Sequence, residues 1–350
     1  MTGIMTDIRD YLKALQTGRH FSQAHAAEVM QTILAPDLSE AQIAALLVGF
    51  AFKGETADEM TGFARVMREH AVPLRTRREG LLDTAGTGGG VTTFNISTTA
   101  AFVIAGAGVP VAKHGNTAIT SRCGSADLLQ ALGVRIDADP AVAGRCLDEI
   151  GMTFLFAPRY HPAMKRVGAV RKQLGIRTAF NFLGPINNPA ATTYQIIGVY
   201  DERFMPLLAE VLRNLGTRRA WVFHSTDGMD EISAGAPTRV VEVVDGAVST
   251  FQVTPESFGL AAVDGYHEMA GGDREYNARL ALGVLTGEVR SAARSVVLIN
   301  AAAGLFVAGR APSLRAAMVM AEHSVDSGAA RRKLEALAAM TNACGQEAVK

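Results

Sequence analysis

Cysteine is scarce in this chain: Cys123, Cys146 and Cys344 are three in 350 residues, widely spaced and odd in number. That excludes a disulfide framework and a thiolate zinc site, and leaves small, semi-buried thiols of a reducing compartment. An excess of charge is missing as well. Lys+Arg and Asp+Glu stand at 34 each, and no cationic block is interleaved with aromatics, so no nucleic-acid partner is expected. The start, MTGIMTDIRDYLKAL, lacks a basic leader followed by an apolar core and a small-residue cleavage site. Nor is any apolar run long enough to span a bilayer. The best candidate, residues 99–112, is broken by Gly106, Gly108 and Pro110 and reads as a buried helix leading into a strand. A soluble, cytoplasmic protein with no membrane partner is the expectation.

Several catalytic signatures are absent too. There is no nucleophile elbow, no lysine inside a glycine loop of the P-loop kind, no dinucleotide fingerprint of convincing spacing and no recognisable glycosidase carboxylate pair. Covalent catalysis and hydride transfer are thereby disfavoured.

What the chain does have is apolar residues at 48%, ample for a sizeable core at this length. Up to about residue 72 it reads as helices only: IRDYLKAL, SQAHAAEVMQTIL, SEAQIAALLVGFAFKG and TADEMTGFARVMREHA, with apolar residues at three-and-four spacing and a Ser or Thr at or near most starts. From Leu81 short apolar runs alternate with helical periods, the pattern of crossover units on a mostly parallel sheet. Asp139-Pro140 opens one helix and Gly151 closes it; a later helix is capped by Asp201 and closed by Gly216. RVVEVVDGAVSTFQV predicts a hairpin about Asp245-Gly246, and the tail from Arg274 is helical again. The expected fold class is α/β: a small helical domain, residues 1–76, with a helical return at about 162–190, and a large α/β domain, residues 77–350.

The polar residues concentrate in residues 83–129, DTAGTGGGVTTFNISTTAAFVIAGAGVPVAKHGNTAITSRCGSADLL, between buried segments. Gly86, Thr87, Gly88, Gly89 and Gly90 follow a strand, where successive amides can converge on a phosphate without Cβ obstruction; a bare turn is about as good a reading of the loop alone. Asn95, Ile96, Ser97 and Thr98 then open an apolar helix, placing hydroxyls where they can cap it, bind phosphate or ligate Mg²⁺. Lys113, His114, Gly115 and Asn116 end a strand at the sheet's carboxyl edge, where open α/β folds bind ligands. Ser121, Arg122, Cys123, Gly124 and Ser125 precede another helix, a second loop-to-helix anion site. Two such sites suit a ligand with two separated phosphate groups. Asp230-Glu231 is a vicinal carboxylate pair of the kind that holds Mg²⁺ together with substrate phosphates, although an isolated pair is usually a solvated one. Among the cations after His161-Pro162, which include Lys165, Arg166, Arg171, Lys172 and Arg177, most are expected in solvent and one could clamp a carboxylate.

Together, GTGG…FNIST, KHGN, SRCGSADLL, FLFAPRYHPAMK, VRKQLGIRTAFNFLGPINNPA and GMDEIS resemble the anthranilate phosphoribosyltransferases of tryptophan biosynthesis, in order and over essentially the whole chain. The resemblance implies the fold shared with the pyrimidine-type nucleoside phosphorylases, an active site in the cleft between the domains, and a homodimer through the helical domain. It implies that anthranilate's amine displaces Mg²⁺-bound pyrophosphate from phosphoribosyl pyrophosphate (PRPP). Gly86, Thr87, Gly88, Gly89, Thr93, Asn95, Ser97, Thr98, Lys113 and Ser125 would contact PRPP, and Ser97, Asp230 and Glu231 its metal. Gly86, His114, Asn116, Tyr160, His161, Arg171 and Pro185 would form the anthranilate pocket, with Arg171 on the carboxylate and the histidines positioning rather than abstracting a proton.

Three departures from the family pattern fall on or beside the PRPP side. The glycine loop lacks its usual Asp and is one residue shorter, Thr117 replaces the Arg that follows KHGN, and Cys123 replaces a Ser. Loss of an Asp and an Arg together leaves the local charge balanced. A related phosphoribosyltransferase or phosphorylase with another aromatic or base acceptor, or a non-catalytic binding paralogue, stays open from the sequence.

Overall fold

The computed structural model describes residues 7–118 and 122–343, so Ser121 and Cys344 lie outside the described residues. The chain opens with helices Ile8–Gln16, Gln23–Leu34, Glu40–Lys53 and Ala57–Glu69. Their starts follow from local chemistry. Ser39 with Gln42 and Thr56 with Glu59 form reciprocal capping boxes, satisfying amides that a helix leaves unpaired at its start. Glu59 does more than cap: its fully buried carboxylate also accepts from the Phe21 amide at 2.8 Å and from Lys53 Nζ at 2.8 Å, tying the turn before the second helix to the end of the third.

The sheet has seven strands: β1 Leu82–Gly86, β2 Val111–Gly115, β3 Met152–Phe156, β4 Tyr194–Gly198, β5 Arg219–Ser225, β6 Thr238–Val244 and β7 Ala247–Val253. Their order is β3-β2-β1-β4-β5-β6-β7; the first five are parallel, and β6 and β7 add on antiparallel. The expected hairpin is β6–β7, and Asp245 and Gly246 both take positive φ, 46° and 84°, as a tight two-residue turn requires. Asp139 caps helix Pro140–Ile150, and Gly151 ends it in the left-handed region. After Asp201 the chain makes one 3₁₀ turn before helix Met205–Asn214.

Side chains alternate between the sheet's two faces. Leu82, Val111, Met152, Ile196, Trp221 and Val240 pack against the apolar helix Ile96–Gly106 and the carboxyl-terminal helices, chiefly Ala292–Val307. Ile197, Ala220, Val222 and Val241 face the other way and join a cluster continuous with Ile43, Leu46, Phe63 and Met30 of the first helices. Val167, Val170, Phe180 and Leu183, from helices Met164–Leu174 and Phe180–Ile186, belong to that same cluster, so the expected helical return packs on the amino-terminal helices. Arg166 pins it there, donating to the carbonyls of Ala35, Pro36 and Leu38. No helix among the described residues is long and apolar enough to cross a membrane.

Candidate active site

Strand order reverses between β1 and β4, the switch point at which open α/β sheets form a crevice beyond their carboxyl ends. Gly86 and Gly198 are paired there, one ending each strand. A Cβ on Gly198 would sit 1.7 Å from the Asp230 carbonyl oxygen, so only glycine lets the turn after β5 close over β4. That turn is the hub of one side of the crevice. The Gly228 carbonyl accepts from the Val91 amide at 3.3 Å, Asp230 Oδ2 from the Gly88 amide at 3.0 Å, and Glu231 Oε1 from the Ser97 amide at 3.1 Å. Buried Asn300 anchors it from behind, donating to the Ile232 carbonyl and accepting from the Ile232 amide.

The glycine loop is therefore held rather than free. Thr87 donates to the Gly198 carbonyl, and the amides of Gly89 and Gly90 are left with no protein acceptor among the described residues. The far end of the loop is tied down by a Thr93–Ala270 bridge and by Tyr266, whose hydroxyl donates to the Thr92 carbonyl. Asp230 and Glu231 are not a solvated pair. Burial and the charge of Asp230 push Glu231 up to about 8, and burial raises Asp230 as well. Lys113 lies beneath them, buried, donating to the Thr84 carbonyl at 2.5 Å with Ser97 Oγ at 3.4 Å. Burial lowers its pKa while Asp83 and Glu231 raise it. Two desolvated carboxylates, whose ionised forms a bound cation would favour, and the Ser97 hydroxyl form a hard-oxygen donor set that fits a divalent cation also binding substrate oxygens. Among the described residues no group of three or more His, Cys, Asp or Glu forms a protein-only metal cage.

Helix Phe180–Ile186 is the hub of the other side. Asn181 Oδ1 faces Arg171 Nη2 at 3.5 Å, the Gly184 carbonyl accepts from His114 Nδ1 at 3.1 Å, and the carbonyl of Asn187, just past the helix, accepts from His161 Nε2 at 3.1 Å. Pro185 is buried in the same helix, its carbonyl accepting from Gln195. Because a carbonyl only accepts, these contacts settle the tautomers: His114 keeps its lone pair on Nε2 and His161 on Nδ1. The two rings meet edge-on with centroids 5.2 Å apart. Burial, the neighbouring His161 and Lys113 hold His114 down to about 3, and burial lowers His161, so both are neutral at pH 7. Arg171 is half-buried, lies 5.6 Å from the Phe180 ring and has no carboxylate partner among the described residues.

The expected residues do not all meet in one place. Gly86, Thr87, Gly88, Gly89, Ser97, Lys113, Asp230 and Glu231 converge on the first hub, and His114, His161, Arg171 and Pro185 on the second. Thr98 is buried inside the apolar helix. Tyr160 packs its ring among Leu81, Ala112, Leu147 and Leu155 under the sheet, and its hydroxyl is buried without a partner among the described residues. Asn95 holds the loop behind Ser125, donating to the Cys123 carbonyl and accepting from Asn277. Asn116 accepts from the Thr117 amide through its side chain and from the Ser125 hydroxyl through its carbonyl. At the second loop, Asp127 accepts from the amides of both Ala118 and Gly124, so that helix start already holds a carboxylate. Arg122 is exposed and burial pushes the Cys123 thiol up to about 11. Gly198 and Asn300 belong to no motif in the sequence, yet they seat the first hub. Gly198 could have been suspected as a glycine at a strand's carboxyl end; nothing local marks Asn300.

Residues 78–331 match the glycosyl transferase family, a/b domain, and residues 9–71 the helical bundle domain of the same family. Helices, switch-point crevice and glycine loop are thus those of a two-part glycosyl transferase. The chain is 51% identical over 333 residues to the anthranilate phosphoribosyltransferase of Moorella thermoacetica, covering 95% of this chain and 98% of that one. Its fold superimposes on the Thermus thermophilus anthranilate phosphoribosyltransferase with a TM-score of 0.89, 42% identity and 95% and 99% coverage. The Saccharomyces cerevisiae enzyme, solved in complex with PRPP and Mg, gives 0.87 at 27% identity, covering 96% and 98%. Within the glycosyl transferases, this chain belongs to the anthranilate phosphoribosyltransferase family.

Proposed function

We infer that this protein transfers the 5-phosphoribosyl group of PRPP to the amine of anthranilate and releases pyrophosphate. The observation that carries the reading is the meeting of the glycine loop with the Asp230-Glu231 turn at the switch point, beside a second, uncharged-imidazole side. Departure of pyrophosphate leaves positive charge on the ribose C1, so the protein must hold the leaving anion and align the acceptor rather than supply a nucleophile. The amides of Gly89 and Gly90, the Ser97 hydroxyl and Lys113 suit the first task, with Gly86, Thr87, Gly88 and Thr93 shaping the loop; Asn95, Thr98 and Ser125, which lie at helix starts outside that hub, join the PRPP side of the proposal through the family resemblance. Asp230, Glu231 and Ser97 would hold Mg²⁺, which neutralises diphosphate charge when bound.

On the other side Arg171 would take the anthranilate carboxylate, with Gly86, Asn116 and Pro185 bounding the ring. An aromatic amine is neutral at pH 7 and attacks with its own lone pair, so imidazoles that are neutral at that pH serve as walls and acceptors. Tyr160 enters the proposal through its backbone position before His161, because its ring lies in the core. The proposal includes the division into residues 1–76 with 162–190 and residues 77–350 about the crevice, a cytoplasmic location, and a homodimer through the first helices. The exposed Phe52, in a groove lined by Leu12, Leu15, Ala45 and Val48, supports the last, and sedimentation at a single chain mass would remove it.

Loss of anthranilate fluorescence with PRPP, read with and without Mg²⁺, tests the reaction. Mg²⁺-dependent loss supports the reading; PRPP turnover with another acceptor, or none, would replace it.

A further inference from the structure

Arg177 lies between helices Met164–Leu174 and Phe180–Ile186, in the segment that packs on the amino-terminal helices, yet its guanidinium reaches across the crevice to the glycine loop. Its Nη2 donates to the Gly89 carbonyl at 3.3 Å, and its Cζ lies 3.4 Å from the centroid of the Tyr200 ring. Tyr200 is itself fixed: its amide donates to Thr87 Oγ1 at 3.1 Å, and its ring packs on Phe182 and Phe204. Loop and guanidinium are shaped to each other. Gly89 has φ +88°, and a Cβ there would lie 2.0 Å from Nη2. Among the described residues no carboxylate pairs with Arg177, whereas Arg203, just after Tyr200 in the chain, has one in Asp201. A guanidinium has five N–H donors, and the carbonyl accepts from one nitrogen. Its positive charge is also felt at Asp230.

We propose that Arg177 is a diphosphate-binding residue, stacked in advance on Tyr200, which exchanges the Gly89 carbonyl for an anionic oxygen of PRPP and keeps hold of the pyrophosphate as it leaves. Because the side chain comes from the segment docked on the helical part, diphosphate binding draws the two sides of the crevice together. The inference rests on the PRPP reading above.

Its test uses Arg177→Gln, Arg177→Lys and the wild type, comparing KM for PRPP, KM for anthranilate and the inhibition constant of inorganic pyrophosphate. Arg177→Gln is expected to raise the PRPP and pyrophosphate constants about tenfold and to leave that for anthranilate unchanged. Arg177→Lys recovers part of the loss. Tyr200→Leu, which removes the stacking platform, gives a smaller shift in the same two constants, and Tyr200→Phe gives none. Unchanged or tighter pyrophosphate binding in Arg177→Gln would overturn the inference, the tighter case marking Arg177 as a latch that blocks the loop. Failure of the wild type to turn over PRPP would instead sink the functional reading; pyrophosphate binding by calorimetry, which needs no turnover, judges Arg177 on its own.

Discussion

Lys113 and His114 are neighbours on β2, and they belong to two different chemistries. Lys113 points to the face of the apolar helix Ile96–Gly106, under the Asp230-Glu231 carboxylates and the glycine loop. His114 points to the opposite face, toward the carbonyl of Gly184 and the ring of His161, in surroundings that keep it uncharged. One side concentrates charge that a metal and a diphosphate can use; the other removes charge so that Arg171 is the dominant field for a carboxylate-bearing aromatic. A two-residue period and a sheet covered on both faces are enough to separate them.

That contrast can be broken from either side. The largest effect is expected from Glu231→Gln, which removes an oxygen donor that a cation could hold ionised on the metal-facing turn: kcat/KM falls roughly 10²–10³-fold and the Mg²⁺ requirement rises, while anthranilate affinity holds. Steady-state kinetics over a Mg²⁺ series checks it, and a loss that extra Mg²⁺ leaves untouched while anthranilate affinity collapses would merge the two sides into one. Next in size, Arg171→Ala should raise KM for anthranilate roughly ten- to hundredfold with little change for PRPP. Equal effects on both substrates would remove its assigned role. The last effect is on stability and leaves activity at neutral pH untouched. Folding pulls His114 from an ordinary 6.5 to about 3, so between those values the unfolded chain binds a proton that the folded protein does not. Stability should fall as pH is lowered through that window, by at most about 1.4 kcal/mol per pH unit from this group, and His114→Asn should flatten the slope of melting temperature against pH. An unchanged slope would mean that His114 is protonated in the folded protein.

Periodicity made the helices and strands legible, because amphipathic spacing and caps such as Ser39 and Asp139 are local signals. The glycine loop and KHGN were legible as an anion site at a strand's end for the same reason. Burial was not. Asp230-Glu231 reads in isolation as a solvated pair, and it is desolvated only because Gly198 admits the turn and Asn300 holds it from a helix far along the chain. Tyr160 sits in a motif beside His161, but a single residue's offset turns its ring into the core. Arg177 is one of several cations in its stretch, and nothing local says which of them meets an aromatic ring.

By itself the sequence determined the secondary elements, the α/β class, the loops able to meet phosphate and the family, because these depend on neighbours within a few residues or on motif order. Only the tertiary structure decided which side chains share a space, which acids are desolvated, which imidazoles stay neutral and which arginine reaches the loop. Those properties come from groups separated by tens to hundreds of residues, brought together by a strand order that reverses between β1 and β4, and a pKa or a contact exists only once water has been excluded from between them.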